Sequence, residues 1–191
     1  MDIVIIGRGN VGSALQSGLS RIGHQVRALG RAEDVTEAVT TAEVVVFAVP
    51  FGEVQNVAGQ LGSAVNGKVV IDATNALTPS MELAVDTRTT SGAEELQKAL
   101  PAAKVVKAFN TAFASAMATG EISGEKLAGL VAGDDADAKA QVLSMVEAIG
   151  FDPIDAGPLS AARLLEPLAV LNIKLGFVQG YGPVSGFRLV H

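Results

Sequence analysis

The chain has 191 residues, 49% of them hydrophobic and 18% charged, with a net charge of −6, a pI near 4.9 and a mean hydropathy of +0.38. The acidic balance excludes nucleic acid as a partner, because phosphates call for a basic footprint. The absence of cysteine excludes disulfides and thiolate chemistry, and His24 and His191 stand too far apart in sequence to suggest zinc.

Asp2-Ile3-Val4-Ile5-Ile6 is an apolar, β-branched run that predicts a buried parallel strand. It starts the chain directly, which leaves no signal peptide to expect, and the chain has no apolar run of membrane-spanning length. The expected compartment is the cytoplasm. Gly7-Arg8-Gly9-Asn10-Val11-Gly12 then fits G-x-G-x-x-G at the passage from strand to helix. The first glycine suits a tight turn, the second the approach of a pyrophosphate, and the third close packing of helix on sheet. A helix is predicted from about Asn10 to Ile22, and a second strand over Gln25–Leu29.

The residues after this second strand bear on the cofactor. An NAD site usually places Asp or Glu there, to accept from the ribose hydroxyls. This chain has Gly30-Arg31, with no acid until Glu33. A guanidinium suits a 2′-phosphate, so the expected cofactor is NADP(H).

Residues 31–41 leave room for one short helix, with the usual edge strand missing or vestigial. Glu43–Val49 is the next buried strand, and Ala48-Val49-Pro50-Phe51 at its carboxyl end is expected beside the cofactor, since open α/β sheets bind ligands there. Phe51 would face the nicotinamide or the adenine side. Helix is expected over Glu53–Val65 and strand over Lys68–Ala73, with Thr74-Asn75 in its carboxyl-end loop. Residues 81–90 read as a surface excursion. Ser91 is the expected cap of a helix carrying Ala93, Leu96 and Leu100. Lys104–Phe109 is a fifth strand ending in Asn110-Thr111.

Residues 112–126 suit a short helix close to the cofactor. Leu127–Gly133 is a sixth strand, Asp134-Asp135 cap a helix over Ala136–Ile149, and Phe151–Ala156 is a short strand. Ser160 is expected to cap a last helix reaching about Gln179, apolar almost all round and hence buried against the sheet and a second subunit or a ring-shaped substrate. Residues 185–190 would add an edge strand. Glu166 reads as a helix-surface carboxylate and Tyr181 as a packing residue. The fold class is a doubly wound α/β, mostly parallel sheet with helices on both faces.

These residues resemble the NADP oxidoreductases that use the deazaflavin coenzyme F-420, a family that includes the cytoplasmic domains of eukaryotic metalloreductases. The resemblance rests on Gly7–Gly12, Gly30-Arg31, Val44–Pro50, Val69–Asn75, Val105–Thr111, Ala132–Asp135 and Asp155–Leu159. It implies a single Rossmann domain over residues 1–191, NADP(H), hydride transfer and homodimers. Residues 159–191 would form a helix and tail lining the acceptor pocket or the dimer interface. By position, Arg8 to Val11 would contact pyrophosphate and Gly30 and Arg31 the 2′-phosphate. Val49, Pro50 and Phe51 would line the dinucleotide, with Asn110 and Ala114 by the nicotinamide.

The chain departs from family members at Gly30 (often Ser), at Val35 (a Lys in one member), at Asn110 (a His in some), and at Pro167 and Ala169, where hydroxyl residues can occur. Phosphate binding would then rest mainly on Arg31. Hydride transfer to a flavin-like ring needs stacking and orientation and no compulsory acid or base, so neither a catalytic side chain nor a metal is expected. Asn110 could hold a carboxamide or an acceptor carbonyl, or simply cap its strand. Two other functions share the same nucleotide motifs: a redox sensor or interaction module without turnover, and a reductase of free flavin such as FMN serving ferric iron or quinone.

Overall fold

A computed structural model of the chain describes residues 1–190; His191 lies outside the described residues. Seven strands form one sheet among these residues: β1 (Asp2–Ile6), β2 (Gln25–Leu29), β3 (Val44–Phe47), β4 (Val69–Asp72), β5 (Lys104–Lys107), β8 (Ala128–Gly133) and β9 (Asp152–Asp155). The two others, β6 (Glu121–Ile122) and β7 (Glu125–Lys126), pair only with each other as a small hairpin. The order across the sheet is β2-β1-β3-β4-β5-β8-β9. β1 to β5 pair in parallel, β8 runs antiparallel to β5, and β9 is parallel to β8.

β2 is an outer strand, so the strand that could have flanked it is missing, as the short segment 31–41 leads one to expect. Only α2 (Val35–Thr40) occupies that stretch, capped by Asp34, whose side chain accepts from Thr36 and Glu37 backbone N–H.

Strand residues alternate between two cores. Ile3 and Ile5 face α1 (Asn10–Arg21) and α6 (Ala136–Ile149), where Leu15, Leu19, Val142 and Val146 are buried. Val4 and Ile6 face α3 (Phe51–Leu61) and α4 (Gly92–Ala99), where Val54, Leu61 and Leu96 are buried. Burial on both faces explains why the strands read as continuous apolar runs. Ser91 and Asp135 are the caps expected of them: Ser91 accepts from Glu94 N–H and Asp135 from Ala138 N–H.

Four expectations are corrected. Ser160 caps nothing: residues 159–161 form a single 3-10 turn, and α7 (Ala162–Phe177) starts from Ala161 without a side-chain cap. α7 is not buried all round, since Leu164 is 74% exposed and Phe177 64%. Its buried stripe consists of Ala162, Leu165, Glu166, Ala169, Asn172 and Gly176, a small and polar face that lets the helix lie close to the sheet's end.

Residues 185–190 form no strand. A single backbone bond, from Ala128 N–H to Phe187 O, ties them to the start of β8. Tyr181 is 69% exposed and packs into no core. The segment 112–126 does contain a short helix, α5 (Ala114–Met117), but continues as the β6–β7 hairpin.

Candidate functional site

β1 ends at Gly7, whose φ of +115° only glycine adopts without strain. A Cβ there would also fall 2.2 Å from Ala48 O. At Gly12 a Cβ would fall 1.8 Å from Gly7 O, so α1 can sit against the end of β1 only because that residue is glycine. At Gly9 a Cβ would meet nothing within 4 Å. The middle glycine therefore leaves backbone open beside the N-terminus of α1, where an anion is favoured by the first-turn N–H groups.

A cleft of about 630 Å³ opens at this point. Of the site residues expected from sequence, Gly7, Arg8, Gly9, Gly30, Arg31, Ala48, Val49 and Pro50 line it together, and Glu33, Glu53 and Asn56 are among the other residues of the wall. The cleft lies at the carboxyl ends of β1, β2 and β3. These features fit a dinucleotide: room, an open glycine backbone, a helix N-terminus and two guanidiniums at the end of β2.

Arg8 and Arg31 are not alone. Arg8 Nη2 lies 3.2 Å from Glu33 Oε2, and Arg31 Nη2 lies 3.8 Å from Glu53 Oε1. Glu33 Oε2 also accepts from Gly30 N–H at 2.7 Å. Sequence reasoning noted Glu33 only as a late acid and missed Glu53, whose position in the first turn of α3 aims it across the cleft.

The other expected residues lie outside the cleft lining. Asn10 and Val11 begin α1, the former exposed and the latter half-buried. Phe51 turns toward the start of α4, where its Cε2 would stand 3.2 Å from a Cβ at Gly92. Asn75 and Asn110 pair farther along the same edge of the sheet, after the ends of β4 and β5. Asn110 Nδ2 donates to Asn75 Oδ1 at 3.0 Å and to Leu165 O at 3.1 Å, while Asn75 Nδ2 donates to Asn110 O at 3.1 Å. Leu165 O can only accept, which fixes the amide orientation of Asn110. Among the described residues its Oδ1 is left as a buried acceptor without a partner. Ala114 is half-buried at the start of α5.

Below this amide pair lies an ionic cluster that the sequence did not disclose. Lys107, on β5, is fully buried. It donates to Asp72 Oδ2 at 2.9 Å and Thr74 O at 2.7 Å, and its Nζ lies 2.9 Å from Glu166 Oε1. Asp72 Oδ1 in turn accepts from Thr74 N–H and Oγ. Glu166 is thus no surface carboxylate: it is 0% exposed and accepts from Gly92 N–H at 3.0 Å and Ala93 N–H at 3.2 Å. Burial, the largest influence, works against the Lys107 ammonium, but the two facing carboxylates and their hydrogen bonds outweigh it and hold its pKa above the ordinary lysine value.

Comparison with known proteins agrees with this geometry. Residues 30–76, from the end of β2 to the loop after β4, match the model of the family described as NADP oxidoreductase, coenzyme F420-dependent. The F420-dependent NADP reductase of Methanothermobacter marburgensis is 34% identical over 148 residues, covering 73% of this chain and 65% of its own. Metalloreductase STEAP3 of Rattus norvegicus is 38% identical over 137 residues, covering 71% of this chain and 27% of its own. The chain thus spans just under two thirds of the one relative and about a quarter of the other.

A solved structure from Arthrobacter sp. FB24, described as a candidate F420-dependent NADP-reductase, superposes with a TM-score of 0.90 at 28% identity and covers 100% of both chains. No helix among the described residues is long and apolar enough to cross a membrane. The relatives and the fold are those of NADP-dependent oxidoreductases. Matched by the family's model between β2 and β4, and by relatives over most of its length, the chain is similar to the NADP oxidoreductases described as coenzyme F420-dependent.

Proposed function

We propose that the chain is an NADPH-dependent reductase that passes hydride to a deazaflavin acceptor, and that it works as a cytoplasmic homodimer. The observation that carries this reading is the end of β2, where Gly30 and Arg31 take the place of the ribose-binding acid and Arg8 joins them across the cleft. Bound NADPH would supply the hydride; the residues of the chain bind, orient and exclude water.

In this reading Gly9 and the first turn of α1 hold the pyrophosphate, and Arg31 and Arg8 the 2′-phosphate. Asn110 Oδ1, the buried acceptor left without a partner, receives the carboxamide N–H of the nicotinamide. The exposed apolar residues of α7 and its end, Leu164, Leu171, Phe177 and Val178, suit a second copy of the chain. Sedimentation of the purified protein at micromolar concentration tests the dimer.

The reaction is tested by anaerobic oxidation of NADPH with the deazaflavin coenzyme as acceptor. Loss of NADPH matched by reduction of the deazaflavin is the expected result. Tight NADPH binding without deazaflavin turnover would overturn the acceptor and favour a cofactor-reading module instead.

A further inference from the structure

We infer that Glu33 is a specificity-determining carboxylate that lets the adenosine end of the cleft take a ribose 2′-hydroxyl as well as a 2′-phosphate. The inference rests on reading the cleft as a dinucleotide site and concerns how selective that site is.

Glu33 stands in the turn between β2 and α2, with its N–H bonded to Gly30 O. Its Oε2 accepts from Gly30 N–H at 2.7 Å and lies 3.2 Å from Arg8 Nη2. Those two groups, a backbone N–H at the end of β2 and a guanidinium beside it, are the donors that a 2′-phosphate would take. A carboxylate offers the same donors two oxygens on a planar carbon, so Glu33 imitates part of a phosphate in the place where a phosphate would sit. The pair closes over Gly30: a Cβ there would lie 3.1 Å from Arg8 Nη2, so that this flexible tip would have to give a little, and 3.4 Å from Glu33 Oε2, an ordinary contact.

Charge decides the consequence. Arg8 is paired with Glu33 and Arg31 with Glu53, so this end of the cleft is close to neutral. A 2′-phosphate must displace Glu33 from Arg8 and Gly30 and then lie beside its negative charge, and like charges brought together at an interface are costly. A 2′-hydroxyl has no such conflict, because it can donate to the carboxylate where it already stands. The Glu33 and Arg8 side chains are 39% and 59% exposed, so both are within reach of a ligand entering from solvent.

Calorimetric titration with 2′,5′-ADP and with 5′-ADP isolates this end of the cleft from the nicotinamide end. Glu33→Gln removes the charge and keeps the shape at an exposed position. It should tighten 2′,5′-ADP by about ten-fold and weaken 5′-ADP by about three-fold, as removal of one like-charge contact and one charged acceptor predicts. Unchanged or weaker binding of 2′,5′-ADP, or an equal shift for both nucleotides, would overturn the inference. Arg31→Ala separates it from the reading beneath. If that variant weakens 2′,5′-ADP while Glu33→Gln changes nothing, the cofactor site stands and Glu33 has no such role. If neither wild type nor Glu33→Gln binds 2′,5′-ADP, both fall.

Discussion

Lys107 Nζ stands 2.9 Å from Glu166 Oε1, and neither side chain reaches solvent. The contact joins β5 to α7, and through Glu166 it reaches the first N–H groups of α4. All three ammonium donors find oxygen partners, in Asp72, Thr74 and Glu166. Lys107→Met would leave two carboxylates facing each other without a cation. Breaking a buried pair from one side costs about 3–5 kcal/mol. Urea unfolding should show that loss, and the loop carrying Asn75 should lose amide-exchange protection along with it. A loss below about 1 kcal/mol, the range of an exposed pair, would mean that water replaces the ammonium.

Glu94 links α4 to α7 by accepting from Arg163 at 2.6 and 2.9 Å. The Arg163 hydrogen bonds hold its carboxyl below the usual glutamate range; partial burial opposes them, and Ser91 and Lys98 add to them. A carboxylate whose folded pKa is depressed stabilises the fold above its unfolded pKa and loses that contribution as pH falls through the folded value. Stability should therefore decline as pH drops below about 4.3. Glu94→Gln should cost about 1 kcal/mol at neutral pH and decline less on acidification. Parallel unfolding curves for the two proteins between neutral and acid pH would refute the link.

The glycines of the first turn separate folding from binding. Gly12→Ala places a Cβ 1.8 Å from Gly7 O, and the backbone must shift. Overpacking of this kind costs about 1–3 kcal/mol. The Cβ of Gly9→Ala meets nothing within 4 Å among the described residues, so the variant's stability should stay within about 1 kcal/mol, the scale of a changed N-cap. NADPH affinity should fall in both variants. Thermal melts beside NADPH titrations read the two effects independently, and full affinity in Gly9→Ala would place the pyrophosphate elsewhere.

Arg31 is 86% exposed and only loosely paired with Glu53 at 3.8 Å, so its guanidinium is available to a ligand. Arg31→Ala should weaken NADPH binding by about 1.5–3 kcal/mol, the range of a charge-assisted hydrogen bond, and leave NADH nearly unchanged. Equal losses in titrations of the two cofactors would remove Arg31 from the 2′-phosphate.

What the sequence disclosed was local. The run Asp2–Ile6 became β1 with the expected ends, because a parallel strand covered on both faces must be apolar along its buried length. Ser91 and Asp135 were legible as caps because capping is settled within three residues.

Glu166 was not legible. A glutamate on a helix ordinarily faces solvent, while the hydrogen-bond partners of Glu166 at Gly92 and Ala93 lie 74 and 73 residues away. Lys107 was hidden in the same way, as a polar residue closing an apolar strand. The leucines of α7 misled in the other direction: an apolar sequence implies a covered face, but Leu164 is 74% and Leu171 49% exposed among the described residues. The Arg8–Glu33 pair joins two turns through the gap at Gly30, an approach that no local pattern records.

The reversal of β8 against β5 has a consequence for how this protein can change. Val106 pairs with Gly133 and Lys107 with Ala132, so β8 and β9 run back from the margin that carries the cleft and their carboxyl ends point away from it. Beyond β5, the ligand margin therefore meets connecting segments and α7 rather than the carboxyl ends of strands. Asn172 ties this region together, donating to Thr111 O and Ser185 O. The cleft is set by strands and glycines that tolerate little substitution, and the far end of the margin by a helix and loops that tolerate more. A lineage could exchange one redox partner for another by rewriting residues after Asn110 and leave the first thirty-one positions untouched.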